Sequence, residues 1–332
     1  MSPAYRSIVT HNDFDGLGSA ALCSWAYQVN KILFTGPVDI YNRRFPITRA
    51  EIVCDLPCPG ECGLWFDHHQ GNAEDLRQRG IDPGSIPGRF APEKSCGRVV
   101  LNHLLAEGRT LPAHFGPLAD AMDVVDSFDY RSIEEWRART PAHVITDALK
   151  VPFADYRVRN QSFRNIVFHL RDFGLEKTAA LPEVRRHHQE YRAYEGKMLE
   201  LLERDARPWD PEGEIVLVDL THYAQRPFVW KNLAQVLFPE AGAVLAVECA
   251  FREGRKTNDL AFSMSLTIRE NCAGTDRDLG EIMRTLNIGD GHWGAAGGRL
   301  PCRSKDEMLR RKDEMIARIA ELWKAQGRKT SR

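Results

Sequence analysis

The stretch Leu64-Trp65-Phe66-Asp67-His68-His69-Gln70-Gly71-Asn72 constrains this chain more than any other. An apolar run stops abruptly at an acid and two imidazoles, and a small polar turn follows. A buried strand that delivers such groups at its C-terminal end lies where open α/β sheets hold their ligands. Adjacent histidines also bring nitrogen donors that suit a divalent transition metal. The remaining ligands of such a site have to come from other strand ends.

The first of these precedes it. Ile8-Val9-Thr10 is a short β-branched strand that runs into His11-Asn12-Asp13-Phe14-Asp15-Gly16-Leu17-Gly18-Ser19, and a helix follows from Ala20 to about Val29. Strand, glycine-containing turn and helix open a βαβ unit. In an extended segment His11, Asp13 and Asp15 fall on one side, because side chains alternate. They form a metal cradle there; the plainer alternative is that Asp15 and Ser19 only cap or turn the chain. Residues Ile32 to Tyr41 read as a second strand and turn, ending in Asn42-Arg43-Arg44, an arginine pair expected on the solvated surface. Ile52-Val53-Cys54-Asp55-Leu56-Pro57 is a third strand with an acid at its end. Asp55 and Asp67 are 12 positions apart, room for one turn and one strand, so neighbouring strands present both at one sheet edge. Cys54, Cys58 and Cys62 recur every four residues, but Pro57 and Pro59 exclude a regular helix and no CxxC pair accompanies them. They read as buried or loop thiols.

A Gly/Pro-rich loop, Gly80 to Pro92, is a candidate mobile segment. Ser95-Cys96-Gly97 opens a helix through Leu105, and the next helix carries Asp120, Asp123, Asp126 and Asp129 in apolar surroundings without lysines. At least one of these acids is expected to point inward to a cation. Ile145 to Leu175 reads as helical, and Pro182 to Asp205 as a long charged helix with His187 and His188 on its surface. Pro208 to Gly213 is a turn or linker.

A second α/β module follows: a strand at Glu214–Leu220, a helix at Val229–Leu237, strands at Ala243–Phe251 and at Leu260–Arg269, and a helix at Leu279–Leu286. Next comes Gly289-Asp290-Gly291-His292-Trp293-Gly294-Ala295-Ala296-Gly297-Gly298. Glycines massed around one histidine let backbone approach a ligand closely and donate N–H groups to an anion. Lys305 to Gln326 is an amphipathic helix packing through Met308, Met315, Ile319 and Leu322, and the tail from Gly327 to Arg332 is expected to be disordered.

Forty-five basic against 46 acidic residues leave a net charge of −1, which excludes a generally basic nucleic-acid coat. No apolar run is long enough to cross a bilayer, and the N-terminus lacks a signal-peptide core. With eight cysteines read as reduced thiols, the expected compartment is the cytoplasm.

These pieces, in this order, resemble the DHH phosphoesterase superfamily with a C-terminal DHHA1 domain, over most of the chain. The four N-terminal motifs are similar to His11-Asn12-Asp13-Phe14-Asp15-Gly16, Asp55, Asp67-His68-His69 and Asp123. The glycine motif, usually GGGHxxAAG, is similar to Gly289-Asp290-Gly291-His292-Trp293-Gly294-Ala295-Ala296-Gly297. The resemblance implies two α/β domains. Residues 1–180 would be the metal-binding catalytic domain with a mainly parallel sheet flanked by helices, 181–213 a connecting helix and linker, and 214–328 a smaller substrate-binding domain. The active site would be the interdomain cleft. It further implies two Mn2+ ions, with Mg2+ or Co2+ as substitutes. His11, Asp13 and Asp55 would hold one ion, and Asp15, Asp55, His68 and Asp123 the other, with Asp120 or Asp126 as alternatives to Asp123. Asp67 would orient a ligand and His69 would face the substrate phosphate. Arg269, Gly291, His292 and Gly294 would grip a second phosphate or the nucleotide end.

Two features depart from the family pattern. The first motif is spaced H-x-D-x-D, nearer the RecJ exonuclease branch than the H-x-x-x-D-x-D of the pyrophosphatase and oligoribonuclease branches. Asp290 also sets an acid beside the expected anion site. The chain has no room for the additional OB-fold with which RecJ holds single strands. The activity implied is therefore hydrolysis of phosphodiester bonds in short oligonucleotides or linear dinucleotides by a two-metal bridging hydroxide. An exopolyphosphatase or phosphomonoesterase is the first alternative and a non-catalytic nucleotide sensor the second; a homodimer is compatible with each.

Overall fold

Every residue of Ser7–Thr10 (β1) is buried, as befits a strand covered on both faces. This is seen in a computed structural model that describes residues 5–327. The chain divides into two units. The first runs to Asp129 and resumes over Arg137–Arg192; the second takes Tyr130–Trp136 and the chain from Ala193 onward.

In the first unit, β1 leads into Phe14–Tyr27 (α1). Then come Ile32–Phe34 (β2), Pro37–Tyr41 (α2), Glu51–Cys54 (β3), Leu64–Asp67 (β4), Gln70–Gln78 (α3) and Gly88–Phe90 (β5). The strand order is β2-β1-β3-β4-β5, with every neighbouring pair parallel. The order reverses between β1 and β3. At such a switch point the connections leave to opposite faces, and a crevice opens beyond the C-terminal strand ends. One sheet face is covered by α1 together with Cys96–Ala106 (α4), Phe115–Asp126 (α5) and two later helices, burying Leu17, Val100, Phe115, Met122, Phe163 and Leu170. The other buries Val9, Val53, Trp65 and Leu76, the last from α3.

Ile133–Trp136 (α6) lies in the stretch assigned to the second unit. Pro141–Leu149 (α7) and Tyr156–Ala179 (α8) follow; Gly174 breaks α8 with φ of 75°, and a side chain there would meet His114 Cβ at 2.9 Å. Pro182–Asp205 (α9) shows a buried stripe at Val184, His187, Tyr191, Met198 and Leu202. His187 is thus in phase with the apolar stripe, and its ring packs edge-on against Phe153. The expectation that His187 and His188 are surface residues is corrected accordingly: His188 Nδ1 faces Asp147 at 3.5 Å.

In the second unit, Ala206–Pro208 (β6) and Ile215–Asp219 (β7) precede Ala234–Leu237 (α10), Ala243–Arg252 (β8), Arg255–Leu266 (β9), Ile268–Ala273 (α11) and Leu279–Thr285 (α12). Gly289–His292 (β10), Ala295–Leu300 (β11) and Lys305–Gly327 (α13) complete it. The sheet order is β10-β11-β9-β8-β7-β6, antiparallel except for β7 with β8. Met308, Met315, Ile316, Ile319 and Trp323 of α13 pack on it. The Arg277 guanidinium stacks 3.8 Å over the Trp323 ring, whose Nε1 donates to Glu214 Oε2 at 2.7 Å.

Two local expectations change. The loop from Gly80 to Pro92 contains β5, which Gly88 makes possible: its φ is 109°, and a Cβ would strike the Trp65 backbone 2.3 Å away. The strand expected at Leu260–Arg269 ends at Leu266, where Thr267 caps α11 by accepting from Glu270 N, so Arg269 is a helix residue. The glycine-rich segment, to which no element was assigned, forms a β-hairpin. The tail expectation falls on 328–332, outside the described residues, while Gly327 ends α13. Among the described residues no helix is long and apolar enough to cross a membrane.

Candidate metal centre

The sheet delivers its acids and imidazoles at the switch point. β1 ends into His11 and Asp13, β3 into Asp55, and β4 into Asp67, His68 and His69. His11, Asp13 and Asp15 do not lie along one extended strand. Asp13 is the N-cap of α1, accepting from Gly16 N at 2.9 Å, and Asp15 is already in the first turn. Gly16 is required, since a Cβ there would sit 2.4 Å from the His11 carbonyl oxygen. The cap leaves Asp13 Oδ2 free to meet His11 Nδ1 at 2.6 Å, and the same nitrogen is 3.6 Å from Asp55 Oδ2.

Asp15 is buried, and its carboxylate accepts from Cys96 N at 2.7 Å and Gly97 N at 2.8 Å. These are the unpaired donors at the start of α4, where the helix dipole favours an anion. Burial nonetheless pushes Asp15 up to about 6. Asp55 follows β3 with φ of 56°, and its N–H bonds Phe66 O at 3.0 Å, extending the ladder. Burial, then Asp13 and Asp15, hold Asp55 well above the carboxylate range.

Asp67 is fully buried and saturated. One oxygen accepts from His68 N at 2.9 Å, His69 N at 3.3 Å and His69 Nδ1 at 2.8 Å; the other takes Asn72 Nδ2 at 2.6 Å. These bonds fix the His69 ring and the turn that follows β4. The His68 ring is fixed at Nδ1, 3.2 Å from Glu93 O, which requires a donor at that nitrogen. Its Nε2 then points into the acids, 3.3 Å from Asp126 Oδ2, 3.7 Å from Asp55 Oδ1 and 3.8 Å from Asp15 Oδ2. Burial opposes charge on this ring, but Asp15 and Asp126 raise its pKa overall. The half-exposed His69 turns Nδ1 to Asp67 and leaves Nε2 without a role in that contact.

Asp126, and not Asp123, completes this cluster. Asp123 accepts from Ser95 Oγ at 2.6 Å and Arg98 Nε at 2.8 Å, tying α5 to α4, while Asp120 pairs with Arg98 as well. An arginine already neutralises that side of the helix, so the acid one turn further on is the one left facing His68. Burial, then Asp15 and Asp55, hold Asp126 well above the carboxylate range.

Three donor sets result, each with its atoms within 4.8 Å of one another: His11, Asp13 and Asp55; Asp15, His68 and Asp126; Asp55, His68 and His69. Asp55 and His68 each belong to two sets, so the sets adjoin. Both Asp55 oxygens and His68 Nε2 are buried without a hydrogen-bond partner. Mutually repelling acids around an unpartnered imidazole nitrogen fit a divalent cation, and an oxygen-rich set with few imidazoles suits Mn2+ or Mg2+. The sequence carried no signal for Asn72, Glu93 O or the α4 N-terminus as supports. The cysteines stay out of the donor sets: Cys54 Sγ lies 3.6 Å from Cys23 Sγ, and no disulfide forms among the eight.

In the second unit, His292 and Trp293 stand exposed at the hairpin turn. Gly291 is packed so closely that a Cβ would meet Ala296 Cα at 2.4 Å. Gly294 N donates to His292 Nδ1 at 3.1 Å, leaving Nε2 as the protonated nitrogen of a neutral ring. Asp290 pairs with Arg284 at 2.6 Å, which offsets the acid beside the expected anion site. The Arg269 guanidinium donates to the Glu240 carbonyl oxygen.

No family model matches the chain, and no curated protein matches it by sequence. Solved structures do match in fold. A pGpG-specific phosphodiesterase, PggH from Vibrio cholerae, aligns with TM-score 0.69 and 22% identity over 95% of this chain and 99% of that one. The DHH domain of a member of the S1p family of ribosomal proteins aligns at 0.55 and 12% identity, covering 96% and 86%. The exonuclease RecJ bound to manganese aligns at 0.50 and 12%, covering 95% and 89%. The chain therefore has the fold of the DHH superfamily, a parallel α/β unit with a second, mixed-sheet unit. Within that fold it is similar to PggH along nearly the full length of both chains.

Proposed function

We propose that this chain is a divalent-metal-dependent phosphoesterase that hydrolyses phosphodiester bonds in linear dinucleotides or short oligonucleotides. One observation carries the reading: the buried, unpartnered oxygens of Asp55 face the equally unpartnered Nε2 of His68 amid Asp13, Asp15 and Asp126. Uncompensated buried carboxylates are costly unless a cation joins them.

His11, Asp13 and Asp55 would hold one ion, and Asp15, Asp55, His68 and Asp126 a second. When bound, such ions polarise phosphoryl oxygens and make water acidic enough to yield a nucleophile at neutral pH. The chain supplies the rest. Asp67 accepts from His69 Nδ1 and favours the charged ring, and an imidazolium so held would donate from Nε2 to a non-bridging phosphate oxygen. Glu93 O and the α4 N-terminus fix His68 and Asp15, the supporting contacts that keep ligands in place. The hairpin with Gly291, His292 and Gly294 is the proposed nucleotide or phosphate contact, with Arg269 retained as a secondary one. The likeness to a dinucleotide phosphodiesterase supports the choice of small substrate, and manganese is the ion we would supply first.

The test is hydrolysis with Mn2+, Mg2+ or Co2+ of a linear dinucleotide, a 5-mer, a long single strand, pyrophosphate and polyphosphate. Preference for the dinucleotide or 5-mer is expected. Activity on inorganic phosphates alone would replace this reading with the polyphosphatase, and metal binding without turnover on any of them would replace it with the sensor.

A further inference from the structure

The first unit holds a cavity of about 340 Å3, lined by the start of α7, the end of α8 and the first turns of α9. None of its lining residues belongs to the metal centre. Arg139, Glu176 and Arg185 are exposed on it. Neither guanidinium makes an ion pair or a side-chain hydrogen bond with a described residue, and the Glu176 carboxylate is unpaired among them as well. The adjacent Arg186 differs: it pairs with Glu190 one turn along α9.

The backbone adds to the positive side. Pro141 lines the cavity at the first position of α7, and Thr140 Oγ1 caps that helix by accepting from His143 N at 3.3 Å. The helix dipole therefore presents its positive end beside Arg139. Two guanidiniums brought to one cavity from separate segments suit a phosphate, which each can bind with paired N–H groups. Pro141 and Val144 give the same cavity an apolar wall. Glu176 narrows the choice of ligand. It repels a bare inorganic anion, but it accepts from N–H or O–H groups at the far end of a larger molecule. Ligand pockets run from about 300 to 1,000 Å3, so this one suits a single small organic molecule and not an oligomer.

From this lining we infer that the α7–α9 cavity is a second ligand site, taking a nucleoside monophosphate. The phosphate meets Arg139 and Arg185, the base lies against Pro141 and Val144, and Glu176 accepts from the base. Guanine answers a carboxylate best, because its N1–H and amino group donate side by side to two oxygens. The choice of a nucleoside monophosphate among organic phosphates rests on the phosphoesterase reading, since hydrolysis of a linear dinucleotide releases at least one. The anion-binding lining does not rest on it.

The test is titration calorimetry of the metal-free full chain with GMP, AMP and inorganic phosphate. His292→Ala serves as the parent, so that nucleotide held by the glycine hairpin does not mask the cavity. Arg139→Gln with Arg185→Gln, and separately Glu176→Ala, are added to it. The three residues are exposed, so melting temperatures should match the parent. GMP affinity should fall at least roughly tenfold in the double arginine variant. Glu176→Ala should move the two ligands in opposite directions: GMP weaker, because a base contact is lost, and phosphate tighter, because a repelling charge is gone. GMP should also bind the parent more tightly than AMP does. The readout needs no turnover, so a failed phosphoesterase assay and a failed binding assay are separate results. No GMP binding to the parent, or equal binding in the arginine variant, overturns the site. GMP and phosphate both tightening in Glu176→Ala overturns the nucleotide assignment, and AMP binding as well as GMP overturns the guanine contact.

Discussion

His68 Nε2 and Asp55 Oδ1 lie 3.7 Å apart, buried, and neither has a hydrogen-bond partner. The imidazole is committed to donating from Nδ1 to Glu93 O, so at Nε2 it offers a lone pair. Two acceptors facing each other in a buried site repel unless a cation lies against both.

Asp55→Asn tests this relation without disturbing the backbone, since asparagine tolerates the left-handed φ of 56° that Asp55 adopts. Turnover should fall at least roughly a thousandfold with the loss of a shared ligand. In chelator the melting temperature should hold or rise, because a repelling buried charge is removed. Wild-type kcat in this variant would refute the ligand assignment.

Asp126→Asn and Asp123→Asn should separate binding from structure. The first should weaken Mn2+ binding by calorimetry and leave the metal-free melting temperature nearly unchanged. The second removes the charge that pairs with Arg98 and one of the two acceptor oxygens, and should cost about 1–3 kcal/mol of stability, with metal affinity largely kept. The reverse pattern would restore Asp123 as the ligand.

Burial raises Asp15 to about 6 and holds Asp55 and Asp126 well above the ordinary carboxylate range in the metal-free protein. Raised folded values mean that the native state binds more protons than the unfolded chain. The stability these acids contribute is full below about pH 4 and is lost as pH rises through 6 and beyond. Mn2+ should reverse that loss, so the gap between metal-loaded and metal-free melting temperatures should widen from pH 5 to pH 8. A gap independent of pH counts against a carboxylate-rich site.

Gly97→Ala probes the support of Asp15. A Cβ at Gly97 would fall 2.1 Å from Met122 Cε and 3.2 Å from Asp15 Oδ1. Overpacking of this kind costs about 1–3 kcal/mol, and shifting the α4 N-terminus should weaken metal binding as well. Met122→Ala in the same chain should recover part of the stability; strict additivity in denaturant melts would show that Met122 is not the obstacle.

His292→Ala should raise KM several-fold and leave kcat nearly unaltered, because it removes a contact to a non-reacting group. An unchanged KM would detach the glycine hairpin from substrate binding.

Much of the first unit could be read in advance because its signals are local. An apolar run ending in Asp67-His68-His69, and β-branched residues ending in His11 or Asp55, specify buried strands with ligands at their tips through side-chain periodicity alone. The long helices α9 and α13 were equally plain. Local pattern misled where a partner elsewhere decides the outcome. His187 looked solvated because its neighbours are charged, yet it is in register with a buried stripe. Gly80 to Pro92 looked like loop, yet β4 offers an open edge that Gly88 can approach.

The sequence by itself determined which residue types end each strand, and therefore that acids and imidazoles gather at one edge of a parallel sheet. The choice of Asp126 over Asp123, the saturation of Asp67 and the unbalanced charge of Lys231 were decided only by tertiary structure. Each depends on which distant group arrives first. Arg98 reaches Asp123, Asn72 reaches Asp67, and no carboxylate among the described residues reaches Lys231. Periodicity places a side chain on a face; only packing determines what it meets there.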